Sequence, residues 1–160
     1  MRLYLIRHGT AAGAASDRDR RLSGRGGDEV ARLARRLRDL GIRWEVIVTS
    51  PLTRARETAE ILRAAGLAPR VDDAAELAPG GELAAWLPAL AAWRDARHGD
   101  VAAVGHLPAL TEWAERLAFG ESRGRLVLPP AGLIALEVPD DGGLLGGCEL
   151  FWLTSPRLLA

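Results

Sequence analysis

The stretch Arg2-Leu3-Tyr4-Leu5-Ile6-Arg7-His8-Gly9 decides the fold. Leu3 to Ile6 are apolar without alternation. Such a run suits a strand covered on both faces, as in a parallel sheet; a strand with one wet face would alternate. The strand stops abruptly at Arg7-His8-Gly9. Ligands of open α/β sheets bind beyond the carboxyl ends of strands, so this is also the first place to look for chemistry.

Two later stretches repeat the pattern. Glu45-Val46-Ile47-Val48-Thr49 reads as a second buried strand, followed by Ser50-Pro51. Val101 to Val104 reads as a third, followed by Gly105-His106. Helical patterns lie between them. Ser23 is a good N-cap for a helix carrying Val30, Leu33, Leu37 and Leu40, which Gly41 stops. Leu52 to Ala65 reads as a helix beginning near Pro51 and closed by Gly66. Glu82 to Arg94 reads as a helix, and Leu110, Trp113, Ala114 and Leu117 mark another. Arg70 to Asp72 fits a short strand, and Thr10 to Arg21 reads as a loop. After Gly120, Arg125 to Val138 and Cys148 to Leu153 read as two strands joined by the Gly- and Asp-rich turn Pro139 to Gly147. The expected fold is a three-layer α/β sandwich: a mostly parallel sheet, helices on both faces and a C-terminal antiparallel hairpin.

The chain has 160 residues, which fits one domain spanning residues 1–160. Its formal net charge is zero, which argues against a general nucleic-acid or membrane-surface binder. The arginine-rich stretch Arg18 to Arg25 is offset by Asp17, Asp19, Asp28 and Glu29, and reads as a solvated loop; Arg18, Arg20 and Arg21 are also candidates to steer an acidic phosphoprotein. No apolar run approaches the roughly 20 residues that cross a bilayer. The start of the chain shows no leader pattern, so a cytoplasmic location is the expectation. One cysteine, Cys148, excludes an internal disulfide. Every basic residue apart from histidine is arginine, which rules out Schiff-base and P-loop lysine chemistry.

Three strand ends therefore carry polar residues to one sheet edge: Arg7-His8-Gly9, then Thr49-Ser50 with Arg54 on the next helix, then Gly105-His106. Two guanidinium forks beside a helix N-terminus suit a dianion. Two imidazoles in that positive field have their protonated forms disfavoured by the cations. One neutral imidazole can attack phosphorus, and the other can hydrogen-bond the equatorial oxygens. No Asp or Cys cluster has a familiar metal-ligand spacing, so neither a metal nor another cofactor is expected. His98 reads as a loop residue beside Gly99 and receives no role, and the five tryptophans read as packing.

At this point the residues resemble the histidine phosphatase superfamily, the group that includes cofactor-dependent phosphoglycerate mutases. The matching pieces are Leu5-Ile6-Arg7-His8-Gly9, Thr49 to Ala59, and Val104-Gly105-His106. Arg21-Leu22-Ser23, Glu76 to Gly81, His106-Leu107-Pro108 and Trp152 to Pro156 are similar to the small bacterial phosphohistidine phosphatases. The resemblance implies that His8 is the nucleophile, that Arg7, Arg54 and His106 hold the phosphoryl group, and that Gly9 belongs to the binding site.

Two positions depart from the mutase pattern. Ala14 stands where mutases have asparagine, and Leu77-Ala78-Pro79 stands where they have a Leu-x-Glu stretch with a proton-donating glutamate. An alkoxide needs that proton, and general acid catalysis is worth on the order of 100- to 10,000-fold. A phosphorylated imidazole can carry its own proton on the other ring nitrogen. The expected substrate is therefore a phosphorylated one, with a histidine-phosphorylated protein leading. A phosphomonoesterase for small esters and a non-catalytic phospho-ligand binder are the alternatives. The loop Thr10 to Ala15 does not exclude small substrates. Glu76 and Glu82 are candidate substitute acids, with surface charge the favoured reading.

Overall fold

The computed structural model describes residues 1–14 and 16–159; Ala15, at the end of the expected Thr10–Ala15 loop, and Ala160 lie outside the described residues. The elements are β1 (Arg2–Arg7), α1 (Gly24–Asp39), β2 (Val46–Thr49), α2 (Thr53–Ala64), β3 (Val71–Asp73), α3 (Leu83–Asp95), β4 (Val101–Gly105), α4 (Ala109–Phe119), β5 (Leu133–Glu137) and β6 (Glu149–Thr154). They build a six-stranded sheet in the order β3-β2-β4-β1-β5-β6. The first four strands in that order pair in parallel, and β5 pairs antiparallel with both β1 and β6.

The unbroken apolar run in β1 has the expected cause. Leu3 and Leu5 pack with Trp86, Leu90, Leu110 and Trp113 of α3 and α4. Tyr4 and Ile6 face the other way, among Val30, Leu33, Leu37 and Leu62 of α1 and α2. Alternate side chains of one strand thus fill two cores, and no face of it is left for polar residues. No helix among the described residues is long and apolar enough to cross a membrane.

The helix ends follow the local chemistry. The Ser23 side chain accepts a hydrogen bond from the Gly26 N–H at 3.0 Å, capping α1. Gly41 follows its end at φ +75°, a left-handed conformation that glycine adopts without strain.

One expected strand is shorter than the sequence suggests. The stretch Arg125 to Val138 is extended and paired only over Leu133–Glu137. The residues before it form a loop tied to Glu115 of α4. That buried carboxylate accepts from the Ser122 hydroxyl at 2.7 Å and from the N–H groups of Arg123, Gly124, Arg125 and Leu126 at 2.6, 2.8, 2.6 and 3.1 Å. These bonds, the Ser122 hydroxyl first, pull the Glu115 carboxyl down to about 2. Pro129 and Pro130, which follow, have no N–H for a ladder. A strand signal read from hydrophobicity cannot see donors already committed elsewhere.

Sheet order, more than any single element, creates the site. β4 comes after β2 and β3 in the chain yet lies between β2 and β1, with Arg7 opposite Gly105 and Thr49 opposite Val104. The three polar strand ends therefore emerge side by side.

The loop after β1 crosses α1 at close range. A methyl group at Gly26 would overlap the Thr10 carbonyl, whereas at Gly27 it would meet nothing within 4 Å. We expect Gly26→Ala to destabilise the fold by about 1–3 kcal/mol and Gly27→Ala to stabilise it by about 0.5–1 kcal/mol. Urea unfolding of both variants checks this; equal effects would contradict the packing described.

Candidate active site

His8 is held from both neighbouring strands. Its N–H donates to the Gly105 carbonyl at 3.2 Å, and its carbonyl accepts from the Ala131 N–H at 3.2 Å. Its ring is fixed as well. Nδ1 lies 2.7 Å from the Gly9 carbonyl oxygen. A carbonyl only accepts, so Nδ1 carries the proton and Nε2 keeps its lone pair. The Arg54 Nε–H points to that lone pair at 3.2 Å. Two unlike partners thus define one tautomer.

Gly9 serves the ring through its carbonyl. Its N–H donates to the Thr58 hydroxyl oxygen at 3.2 Å. A methyl group here would lie 2.6 Å from the Gly26 carbonyl oxygen, so the residue must be glycine for the loop to lie against α1. Thr58 in turn donates to the Arg54 carbonyl at 2.8 Å, one helical turn back.

Arg54 reaches the site from the start of α2 and is only 5% exposed. Besides the bond to His8, its Nη1 donates to the Asp17 carbonyl at 2.7 Å and its Nη2 to Asp17 Oδ2 at 3.2 Å. Arg7 donates through Nη1 to the Leu128 carbonyl at 3.0 Å, while its Nε is buried without a partner. His106 is 3% exposed. Its Nε2 lies 2.7 Å from the Ser50 hydroxyl, and its Nδ1 is buried without a partner. The two imidazole rings are 5.0 Å apart, tilted by 56°.

Burial is the first cause that pushes both rings away from protonation, and the surrounding cations add to it. His8 falls to about 4, with Arg54, Arg7 and Arg20 contributing against the opposing bond to Gly9. His106 falls to about 3, with His8 and Arg54 contributing and Asp17 opposing. Both are neutral at pH 7, so one has an available lone pair and the other a free ring nitrogen.

The structure thus brings His8, Arg7, Arg54 and His106 together. It adds neighbours that sequence reasoning passed over. Asp17, read as one of several charges on a solvated loop, braces Arg54 and also pairs with Arg20 at 3.1 Å. Glu29, read the same way, accepts from the Thr10 N–H at 3.1 Å and the Thr10 hydroxyl at 2.7 Å. Thr58 was findable, because it lies four residues after Arg54 on the same helix face. Asp17 carries no such signal, since a loop has no period. Glu76 and Glu82 make no side-chain hydrogen bond or ion pair among the described residues. His98 lies outside the site, bonded to Glu45 at 2.8 Å and stacked on Trp93.

Neutral imidazoles facing buried guanidinium groups at the carboxyl edge of a parallel sheet define an α/β protein equipped to handle an anion such as phosphate. The chain belongs to the histidine phosphatase superfamily: the model of its branch 1 matches residues 3–78. The protein histidine phosphatase SixA, solved with tungstate, superposes with a TM-score of 0.90 at 26% identity over 100% of both chains. That likeness bears out the small bacterial branch expected from the motifs. An uncharacterized protein of Picosynechococcus sp. is 44% identical over 169 residues, covering 99% of each chain. The alpha-ribazole phosphatase of Shigella flexneri shares the fold, with a TM-score of 0.71 at 19% identity over 98% of this chain and 97% of that one.

Nitrogen-detected NMR should find His8 protonated on Nδ1 and the two rings titrating near 4 and 3. A midpoint near the ordinary 6.5 for either ring would contradict this geometry. The unfolded chain binds these protons near 6.5 and the folded chain only near 4 and 3, so between those values the unfolded state holds more of them. Their contribution to stability is full above 6.5 and declines as the pH falls towards 4.

Proposed function

We propose that this protein is a phosphatase that takes a phosphoryl group onto His8 Nε2 and passes it to water, with protein phosphohistidine as its substrate. One observation carries the reading: a buried, neutral imidazole whose Nδ1–H is committed to the Gly9 carbonyl and whose lone pair faces an arginine.

The steps follow from the atoms present. The forks of Arg7 and Arg54 take the phosphoryl oxygens, and the bond now made from Arg54 Nε to the lone pair is exchanged for one to oxygen. Nε2 attacks phosphorus while the bond to the leaving group breaks, its electron pair going to the leaving atom. When the Ser50 hydroxyl donates to His106 Nε2, Nδ1 of His106 carries the proton and is a donor for an equatorial oxygen. Phosphorylated His8 keeps its Nδ1–H and is then a cationic phosphoimidazole. Water attacks phosphorus, the P–N bond breaks, and His8 returns neutral while phosphate leaves with the water's oxygen.

Protein phosphohistidine is favoured because, among the described residues, no unpaired carboxyl group contacts the four site residues to protonate a departing alkoxide. Among the described residues Asp17 is the one carboxylate hydrogen-bonded to any of the four site residues, and it is paired with two arginines. Likeness to a protein histidine phosphatase supports the same reading. A small-ester phosphatase is the second reading, supported by the fold shared with alpha-ribazole phosphatase.

Rapid quenching with a labelled phosphohistidine protein should trap an acid-labile, base-stable phosphoryl group on the enzyme that is absent in His8→Ala. Unchanged turnover in that variant would overturn the mechanism. Arg54→Ala should lower kcat by roughly 100- to 1,000-fold, as expected for losing one preorganised donor to the transition state. Faster release from small esters than from phosphohistidine would move the assignment to the second reading.

A further inference from the structure

Asp17 is in an unusual place for a surface carboxylate. The Arg54 guanidinium presents its Nε edge to His8, at 3.2 Å. Its far edge, Nη1 and Nη2, is held by the Asp17 carbonyl and carboxylate. The Arg54 side chain is 7% exposed and the Asp17 side chain 55%, so the carboxylate lies on the solvent side of the arginine. Its other oxygen contacts Arg20 at 3.1 Å. The charged and titratable groups facing it are Arg54 from α2, Arg20 on its own loop and His106 from the end of β4. Between two guanidinium groups it stays ionised, so it accepts hydrogen bonds and has no proton to give. Arg7, Arg54 and Arg20 still leave the net positive charge a phosphoryl dianion needs.

An ionised acceptor at this position suits one kind of leaving group. A phosphoimidazole protonated on its distal ring nitrogen departs as neutral imidazole, and that N–H is a cationic donor. An alkyl phosphate departs as an alkoxide, which wants a donor and is repelled by a carboxylate. We propose that Asp17 selects the leaving group: its carboxylate accepts the distal ring N–H of a phosphorylated histidine side chain and disfavours esters whose oxygen must receive a proton. This rests on the phosphohistidine reading above and adds the residue that enforces it.

The arrangement makes the transfer nearly symmetrical. The P–N bond of the substrate breaks with its electron pair returning to the substrate ring, and the P–Nε2 bond of His8 forms. The substrate ring leaves neutral, with its distal proton still shared with Asp17. His8 receives the phosphoryl group with its own distal proton bonded to the Gly9 carbonyl. Each imidazole has an acceptor behind the nitrogen that does not react.

The test compares two peptides of one sequence, bearing phosphohistidine or phosphoserine, with the full chain and its Asp17→Asn and Asp17→Glu variants. In Asp17→Asn the ratio of kcat/KM for phosphohistidine over phosphoserine should fall about tenfold or more, the size of a lost charge-assisted hydrogen bond. Asp17→Glu should keep most of the ratio. The alkaline limb of kcat/KM for the phosphohistidine peptide should move to lower pH in Asp17→Asn, because the carboxylate favours the protonated substrate ring. An equal fall for both peptides would reduce Asp17 to a brace for Arg54 and overturn the proposal, as would an unchanged ratio. A wild-type preference for phosphoserine would overturn the substrate reading itself, and this proposal with it.

Discussion

A single hydrogen bond between neighbours in the chain, from the His8 ring to the Gly9 carbonyl, sets the chemistry of this protein. It places the proton on Nδ1 and leaves Nε2 free. Much of the nearby structure holds that pair of residues still. The Gly9 N–H is taken by Thr58, the His8 backbone by Gly105 and Ala131, and the loop lies so close to α1 that no side chain fits at position 9. Burial and neighbouring cations then keep the ring neutral at physiological pH.

The cations need support of their own, because a guanidinium group stripped of water is costly unless it has partners. Arg54 is braced by Asp17 on one edge and faces His8 with the other. Arg7 is anchored to the Leu128 carbonyl, in the loop that Glu115 ties down further upstream. Among the described residues four buried side-chain nitrogens have no partner; Nε of Arg7, Nε of Arg20 and Nδ1 of His106 belong to the site and the loop beside it, and the fourth, Nε1 of Trp44, lies in the core beside Tyr4. Buried polar atoms of this kind are rare in folded proteins and are a common mark of a site awaiting a ligand.

Considerable parts of the molecule were legible beforehand. The unbroken apolar runs of β1, β2 and β4 marked a covered parallel sheet. Ser23, Gly41 and Gly66 marked helix ends, and the apolar residues of α1 and α4 marked the faces they bury. The short reach of β5 and the bracing by Asp17 and Glu29 were not legible. In each case a loop's polar groups are satisfied by residues on another element, and loops show no periodicity from which such a partner can be read.

From the sequence alone came the chemical inventory: two imidazoles and two guanidinium groups, each at a strand end or on the helix turn after one, with no lysine and no glutamate in the mutase position. Folding decided that these groups meet. β4 inserts between β1 and β2, which puts the His106 ring beside that of His8, and Arg54 reaches the His8 ring from α2. Strand order is set by how whole helices and strands share two cores, a property of the packed chain that no local stretch encodes. For the same reason the tautomer of His8 and the role of Asp17 emerged only with the tertiary structure, since both depend on which donor or acceptor a distant segment brings within 3 Å or so.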